Sequence, residues 1–285
     1  TKLSQPRKWK YMEKNALDSL KKELKSSNLP TRLNAAKKFR LAAKKNVEIS
    51  RAVPELSKGL VNESAELRWA CADAIGYFIG HYIGAPYSSI EEQLKVENAE
   101  KRAKNAEFIG SIARYDIVSD RDERDISHAL PALSVLLFDE DERVRKETIL
   151  ALNTAQGEHD LEMVMPSIIK VLLDKDKKDI HEQASRILRA SIKKGFKLSP
   201  FVSKLTKNLS EVESTVLRRE ITLILRQAVE ECHDINEDTP LLTELLKDEV
   251  EEVKFAAADT LAYYYIKEQR WEDLARLMEH PDKDV

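Results

Sequence analysis

Apolar residues recur three and four positions apart through most of the chain, and each such run stops at a short polar elbow before the next begins. Residues 136–152, LLFDEDERVRKETILAL, show the unit: two leucine-bearing runs joined by an acidic elbow, which predicts a helical hairpin. Taking the first landmark of the second run as index zero, the same register returns at Thr31, Leu67, Val144, Ile180, Val216 and Val253, in steps of 36, 77, 36, 36 and 37 residues. A fixed period of this size is the mark of a solenoid, in which no hairpin can bury its apolar face except against its neighbours. Pro54, Pro131, Pro166 and Pro240 stand thirteen or fourteen residues before their indices, where each opens the first helix of its pair.

The 77-residue step hides a degenerate unit over residues 84–128. Its stretch EEQLKVENAEKRAKNAEFIGSIARY keeps helical spacing and predicts one longer helix, followed by an exposed acidic connection, DIVSDRDERDIS. The whole chain, 1–285, reads as one domain of about seven hairpins. It has a basic first repeat at 9–46 and a truncated eighth from residue 271, with Val285 at the index position, so the natural protein is expected to continue.

At 100° per residue, indices 0, +4, +7, +8 and +11 share one side; in the second repeat these are Leu67, Cys71, Ala74, Ile75 and Phe78. Indices +2, +6, +9 and +13 lie opposite, near about 200°, and are expected to face a concave groove. There the second repeat places Trp69 and Asp73, with Tyr77 at +10, and the seventh repeats the pattern with Phe255, Asp259 and Tyr263. The fifth repeat contributes Glu182, Arg186, Arg189 and Lys193, the sixth Arg218 and Arg226, and the first Lys37, Arg40 and Lys44. Gly76, Gly80 and Gly84 sit among too few apolar residues for a membrane helix pair; close packing by the aberrant third unit is their expected use, and bare backbone that lets a ligand approach beside Trp69 and Asp73 is the alternative.

Composition strengthens the helical reading: 34% of residues are charged and only 7 are glycine. The net charge of −3 hides a polarity, because residues 1–46 hold 14 Lys or Arg against 3 Asp or Glu. That basic end suits an anionic partner as well as a solvated helix pair. Cys71 and Cys232 lie far apart, without disulfide or zinc spacing, and read as core residues. No apolar stretch is long enough to cross a bilayer, and the basic start lacks the apolar core of a signal, so a cytoplasmic protein is expected, with the nucleus as the other compartment. The six histidines form no metal-binding pair, and phosphate-loop, nucleophile-elbow and dinucleotide motifs are missing; no catalytic residue, metal or cofactor is expected.

Proline opening a first helix, then LLxD, an elbow and VRxxxxxAL, resembles the HEAT-repeat family, close to its short, bilin-lyase-like variety. The resemblance is fullest at 129–155 and weakest at 84–128. It implies an all-α, right-handed alpha-alpha superhelix whose second helices line the concave side. It also implies an Asp-to-Arg ladder between repeats, carried by Asp139 with Arg145, in altered form by Asn62 with Arg68 and Asp248 with Lys254, and interrupted at Leu217. HEAT-type di-iron hydroxylases need several His-Glu dipeptides, and this chain has one, His181-Glu182. HEAT-like alkylpurine DNA glycosylases, which Trp69 and Asp73 with Arg186 and Arg218 resemble, and bilin lyases are the enzymatic alternatives.

The reading that follows is a non-enzymatic scaffold holding a protein or peptide partner in its groove. Trp69, Tyr77, Phe255 and Tyr263 are the expected apolar anchors, and Arg186, Arg189, Arg218 and Arg226 pair with carboxylates. Asp73 and Asp259 accept hydrogen bonds. Nucleic acid is the alternative partner, drawn to the basic end and arginines but opposed by the acidic runs.

Overall fold

The computed structural model describes residues 10–83, 87–114, 125–157, 159–198, 201–202, 204–206, 214–231 and 234–281. Nearly all of these are helical, in antiparallel pairs that make an all-α solenoid. The chain divides into two compact units, Thr1–Lys170 and Val171–Val285. The first holds α1 (Lys14–Leu24), α2 (Leu29–Lys44), α3 (Val53–Gly59), α4 (Ala65–Ile83), α5 (Tyr87–Leu94), α6 (Ala99–Arg114), α7 (Leu130–Leu136) and α8 (Glu142–Ala155). Helix α9 (Met165–Leu172) runs across the division. The second unit holds α10 (His181–Lys193), α11 (Thr215–Glu230), α12 (Thr239–Leu245), α13 (Glu251–Lys267) and α14 (Trp271–Met278). Where no strand was expected, a two-residue parallel pairing of β1 (Lys10–Tyr11) with β2 (Val47–Glu48) joins the start of the chain to the end of the first hairpin.

Two side-chain devices repeat with the helices. Before the helices opened by Pro54, Pro131, Pro166 and Pro240, an acidic side chain accepts the N–H two residues on: Glu48 from Ser50 (2.7 Å), Asp125 from Ser127 (2.9 Å), Asp160 from Glu162 (2.8 Å) and Asp234 from Asn236 (2.9 Å). The proline follows six residues later each time, and the intervening Ile49, Ile126, Leu161 and Ile235 are buried. Acid turn, apolar anchor and proline together set the entry angle of each first helix.

The elbows use the second device. Asn28, Ser64, Asn98, Asp141 and Ser214 cap the second helices of their pairs. Four residues beyond each cap stands an arginine: Arg32, Arg68, Arg102, Arg145 and Arg218. The first four fold back so that one guanidinium nitrogen donates to two carbonyls of their own elbow, as Arg145 does to Asp139 (2.9 Å) and Glu140 (2.8 Å). This satisfies acceptors that the bend would otherwise strand.

Three expectations are corrected here. Among the described residues of 84–128 the expected long helix is two: Asn98 caps a new start, and Arg102 ties the carbonyls of Val96 and Glu97, so α5 and α6 form an ordinary hairpin. The ladder carboxylate of Asp139 belongs to Arg102 of the preceding repeat, with its two oxygens at 2.8 and 3.0 Å, while Arg145 serves its own elbow. The ladder also continues through the sixth repeat. There Ser214 is the cap, Leu217 is buried and Val216 is 56% exposed, so the true index is Leu217, and Arg218 grips Asp248 at 2.6 and 3.1 Å.

Packing is regular only in part. Helix α2 packs on α4, α6 on α8, and α10 on α11 on α13, but α4 packs on α5 and α7, while α6 is not among its main neighbours. Because α2, α3, α5 and α7 surround it, α4 is buried on nearly every side from Leu67 to Tyr77. The expectations placed on Gly84, Cys232, the connection 116–124 and Val285 lie outside the described residues.

Candidate functional site

The second repeat does not present Asp73 and Tyr77 to solvent. Asp73 is 2% exposed, with Lys95 Nζ at 2.6 Å and Arg40 Nε at 3.0 Å, and the Tyr87 hydroxyl donates to it at 3.2 Å. Tyr77 is buried edge-on against Tyr87, ring centroids 5.0 Å apart, with Lys44 over its other side. Trp69 stays half-buried beneath Lys95. The expected open triad is therefore corrected: Asp73 and Tyr77 are interior groups. The cause is Gly76, where a Cβ would come within 2.3 Å of the Tyr87 ring; its bare backbone lets α5 close over α4. Close packing was the expected use of this glycine.

In the second unit, part of the expected face lies at the surface. On α13, Phe255, Asp259 and Tyr263 lie at i, i+4 and i+8; Phe255 and Tyr263 are 48% and 38% exposed, and the Asp259 side chain is 51% exposed. Arg226 reaches them from α11: it pairs with Asp259 and with Glu230 (3.2 Å), and its guanidinium lies 6.0 Å from the Tyr263 ring centroid. Arg186 on α10 is exposed and holds Glu182 at 2.7 Å. Arg189 comes within 3.8 Å of Glu220, a carboxylate 2% exposed on α11.

Arg218 is not part of this face, since its charge is spent on Asp248. With the register moved by one, Arg219 takes the +2 place, pairs with Glu220 at 3.0 Å and stays half-exposed, and half-buried Leu223 takes +6. Sequence reasoning missed both. The signal was present in Ser214, a cap residue three places before the first buried leucine. The face thus carries four arginines, Arg186, Arg189, Arg219 and Arg226, around Leu223, Phe255 and Tyr263. Such a surface pairs with carboxylates and covers apolar side chains.

Nucleophilic chemistry gains no support from Cys71, which lies fully buried against Gly59 with its thiol pushed up to about 12, first by burial and then by Asp73. Among the described residues no three His, Cys, Asp or Glu side chains gather as metal ligands, and no helix is long and apolar enough to cross a membrane.

No protein-family model and no curated protein matches the chain. Among solved structures it is similar to an engineered protein of the Northeast Structural Genomics Consortium, with 18% identity, covering 88% of this chain and 97% of that one at a TM-score of 0.32. It is also similar to Kap121p bound to Nup53p, with 12% identity, covering 93% of this chain but only 31% of that one at a TM-score of 0.47. Kap121p bound to Ste12p gives 13% identity, 88% and 29% coverage, and a TM-score of 0.43.

Proposed function

We propose that this chain is a HEAT-like, non-enzymatic scaffold that binds a protein or peptide partner along α10, α11 and α13. The observation that carries the reading is the α13 stripe, where Phe255 and Tyr263 are held half-exposed in line on a rigid helix, next to the arginine of the adjoining one. Aromatic and arginine side chains are those that most often dominate binding energy, and their placement on packed helices keeps the ordering cost of association low. The partner that fits offers an apolar side chain to Phe255 and Tyr263 and carboxylates to Arg189 and Arg219. The arginine-rich elbow ladder supports the HEAT assignment.

The test is selection of peptides from a random display library on the whole chain, followed by Phe255→Ala and Tyr263→Ala. Selected peptides should lose at least about tenfold in affinity with each variant, while helicity and the urea midpoint stay near wild type. Undiminished binding by the double variant refutes the face. So does a strong, steeply salt-dependent affinity for oligonucleotides with no peptide selected.

A further inference from the structure

The elbow arginines fall into two groups. Arg102 and Arg218 each reach a carboxylate two residues before the next helix cap, Asp139 and Asp248. That side chain also accepts the cap residue's own N–H, as Asp139 does from Asp141 and Asp248 from Val250, both at 3.0 Å. In the repeat that follows Arg68, the corresponding position, two before Asn98, is Val96, whose side chain has no acceptor to offer. Arg68 keeps the two bonds to its own elbow, at 2.7 and 2.9 Å, but no carboxylate of the described residues pairs with it. Its Nε is buried without a hydrogen-bond partner, and its guanidinium lies 5.0 Å from the Phe138 ring centroid. Burial without a full counter-charge lowers its pKa, against a weaker pull from Glu63.

The space beside this arginine is open. A cleft of about 480 Å³, the size of a small-ligand pocket, is walled by Arg68, Trp69, Val96 and Phe138, with Lys95 and Arg102 at its margin. Arg32 borders a similar cleft of about 470 Å³, but Asn62 supplies an amide at the corresponding position there, and Glu55 is already present. The Arg68 cleft is the one whose arginine meets a hydrocarbon side chain at the position where Arg102 and Arg218 meet an acid.

We propose that the Arg68 cleft is a binding site for an acidic side chain of a peptide partner, whose carboxylate takes the place left by Val96 while the adjoining apolar residue lies between Trp69 and Phe138. A single carboxylate suits the cleft better than a phosphate. Glu97, Asp139 and Glu140 also line it and balance Arg68, Lys95 and Arg102, so a dianion or a polyanion meets repulsion that one carboxylate escapes. The site deepens the peptide-binding reading above and depends on it for the class of partner. It lies in the other unit, so loss at Phe255 and Tyr263 and loss at Arg68 are read separately.

The experiment titrates the whole chain with a capped peptide carrying a central Glu-Leu pair, against its Gln-Leu counterpart and inorganic phosphate. It follows the Arg68 side-chain Nε–H resonance, assigned by its loss in Arg68→Gln. The glutamate peptide should move that resonance saturably, the glutamine peptide should not, and Arg68→Gln should bind at least about tenfold more weakly. Val96→Asp is the second variant, because it installs the carboxylate within the chain. It should raise the urea midpoint and abolish the peptide response, whereas Val96→Leu keeps the response. Equal binding of the glutamine peptide, stronger binding of phosphate, or a Val96→Asp protein that still takes the glutamate peptide at wild-type affinity would each overturn the proposal.

Discussion

Two arginines at the same place in their elbows give a measurement of what a ladder carboxylate contributes. Arg102 and Arg68 each donate from one guanidinium nitrogen to two elbow carbonyls, at 2.9 and 2.6 Å and at 2.7 and 2.9 Å. Arg102 makes two further bonds, to both oxygens of Asp139, and the pair is only 17% and 9% exposed. Arg68→Ala therefore frees two neutral acceptors at an elbow that water reaches, a loss of about 1 kcal/mol. Arg102→Ala does this and also leaves Asp139 nearly buried without its counter-charge, for which losses of about 3–5 kcal/mol are typical. The lower end applies, because Asp139 keeps the N–H of Asp141 at 3.0 Å. The two variants should thus differ by about 2–3 kcal/mol, or about 1–2 M in urea midpoint, read by far-ultraviolet circular dichroism at matched ionic strength. A double-mutant cycle of Arg102→Ala with Asp139→Asn should return a coupling of about 2 kcal/mol that survives added salt, since the pair is shielded from solvent ions. Equal losses from the two arginines, or a coupling below about 0.5 kcal/mol, would refute the assignment of Asp139 to Arg102.

Further outcomes follow from the same packing. Burial holds the imidazoles of His128 and His181 below the ordinary histidine value, so the unfolded chain binds protons more readily. Stability is full above about pH 6.5 and falls as the pH drops below it, while Asp238, raised by its own burial, titrates in the opposite sense. Urea midpoints should fall between about pH 7.5 and about pH 5.5, and a His128→Gln/His181→Gln variant should flatten the slope; an unchanged slope would show that these two groups do not cause it. Gly110→Ala should cost about 1–3 kcal/mol despite the higher helix propensity of alanine, because a Cβ there would lie 2.7 Å from the Ala151 Cα. Gly157→Ala, whose Cβ would find nothing nearer than 3.8 Å, is the control and should be within about 0.5 kcal/mol of wild type.

What the chain announces in advance is everything set by local geometry. The spacing of apolar residues fixes where helices run, proline marks where first helices begin, and the phase of α13 places Phe255, Asp259 and Tyr263 outside, as the structure has them. Even the misread sixth repeat was written locally, since Ser214 caps α11 and shifts the index to Leu217. The acid six residues before Pro54, Pro131, Pro166 and Pro240 was equally visible and went unread.

Tertiary structure alone decided whether a side chain opposite the core remains outside. Trp69, Asp73 and Tyr77 share the phase of the α13 stripe, yet Asp73 and Tyr77 are buried, because Arg40, Lys44, Tyr87 and Lys95, from other helices, converge on them. Helical phase is a property of about seven consecutive residues, whereas burial depends on which distant segment arrives on the other side. The same holds for the elbow ladder: an arginine four residues past a cap can be read from the chain, but its charge partner comes from the next repeat, 37 residues on for Arg102 and 30 for Arg218. Only the packed structure shows which arginines meet a carboxylate and that Arg68 meets the Phe138 ring instead.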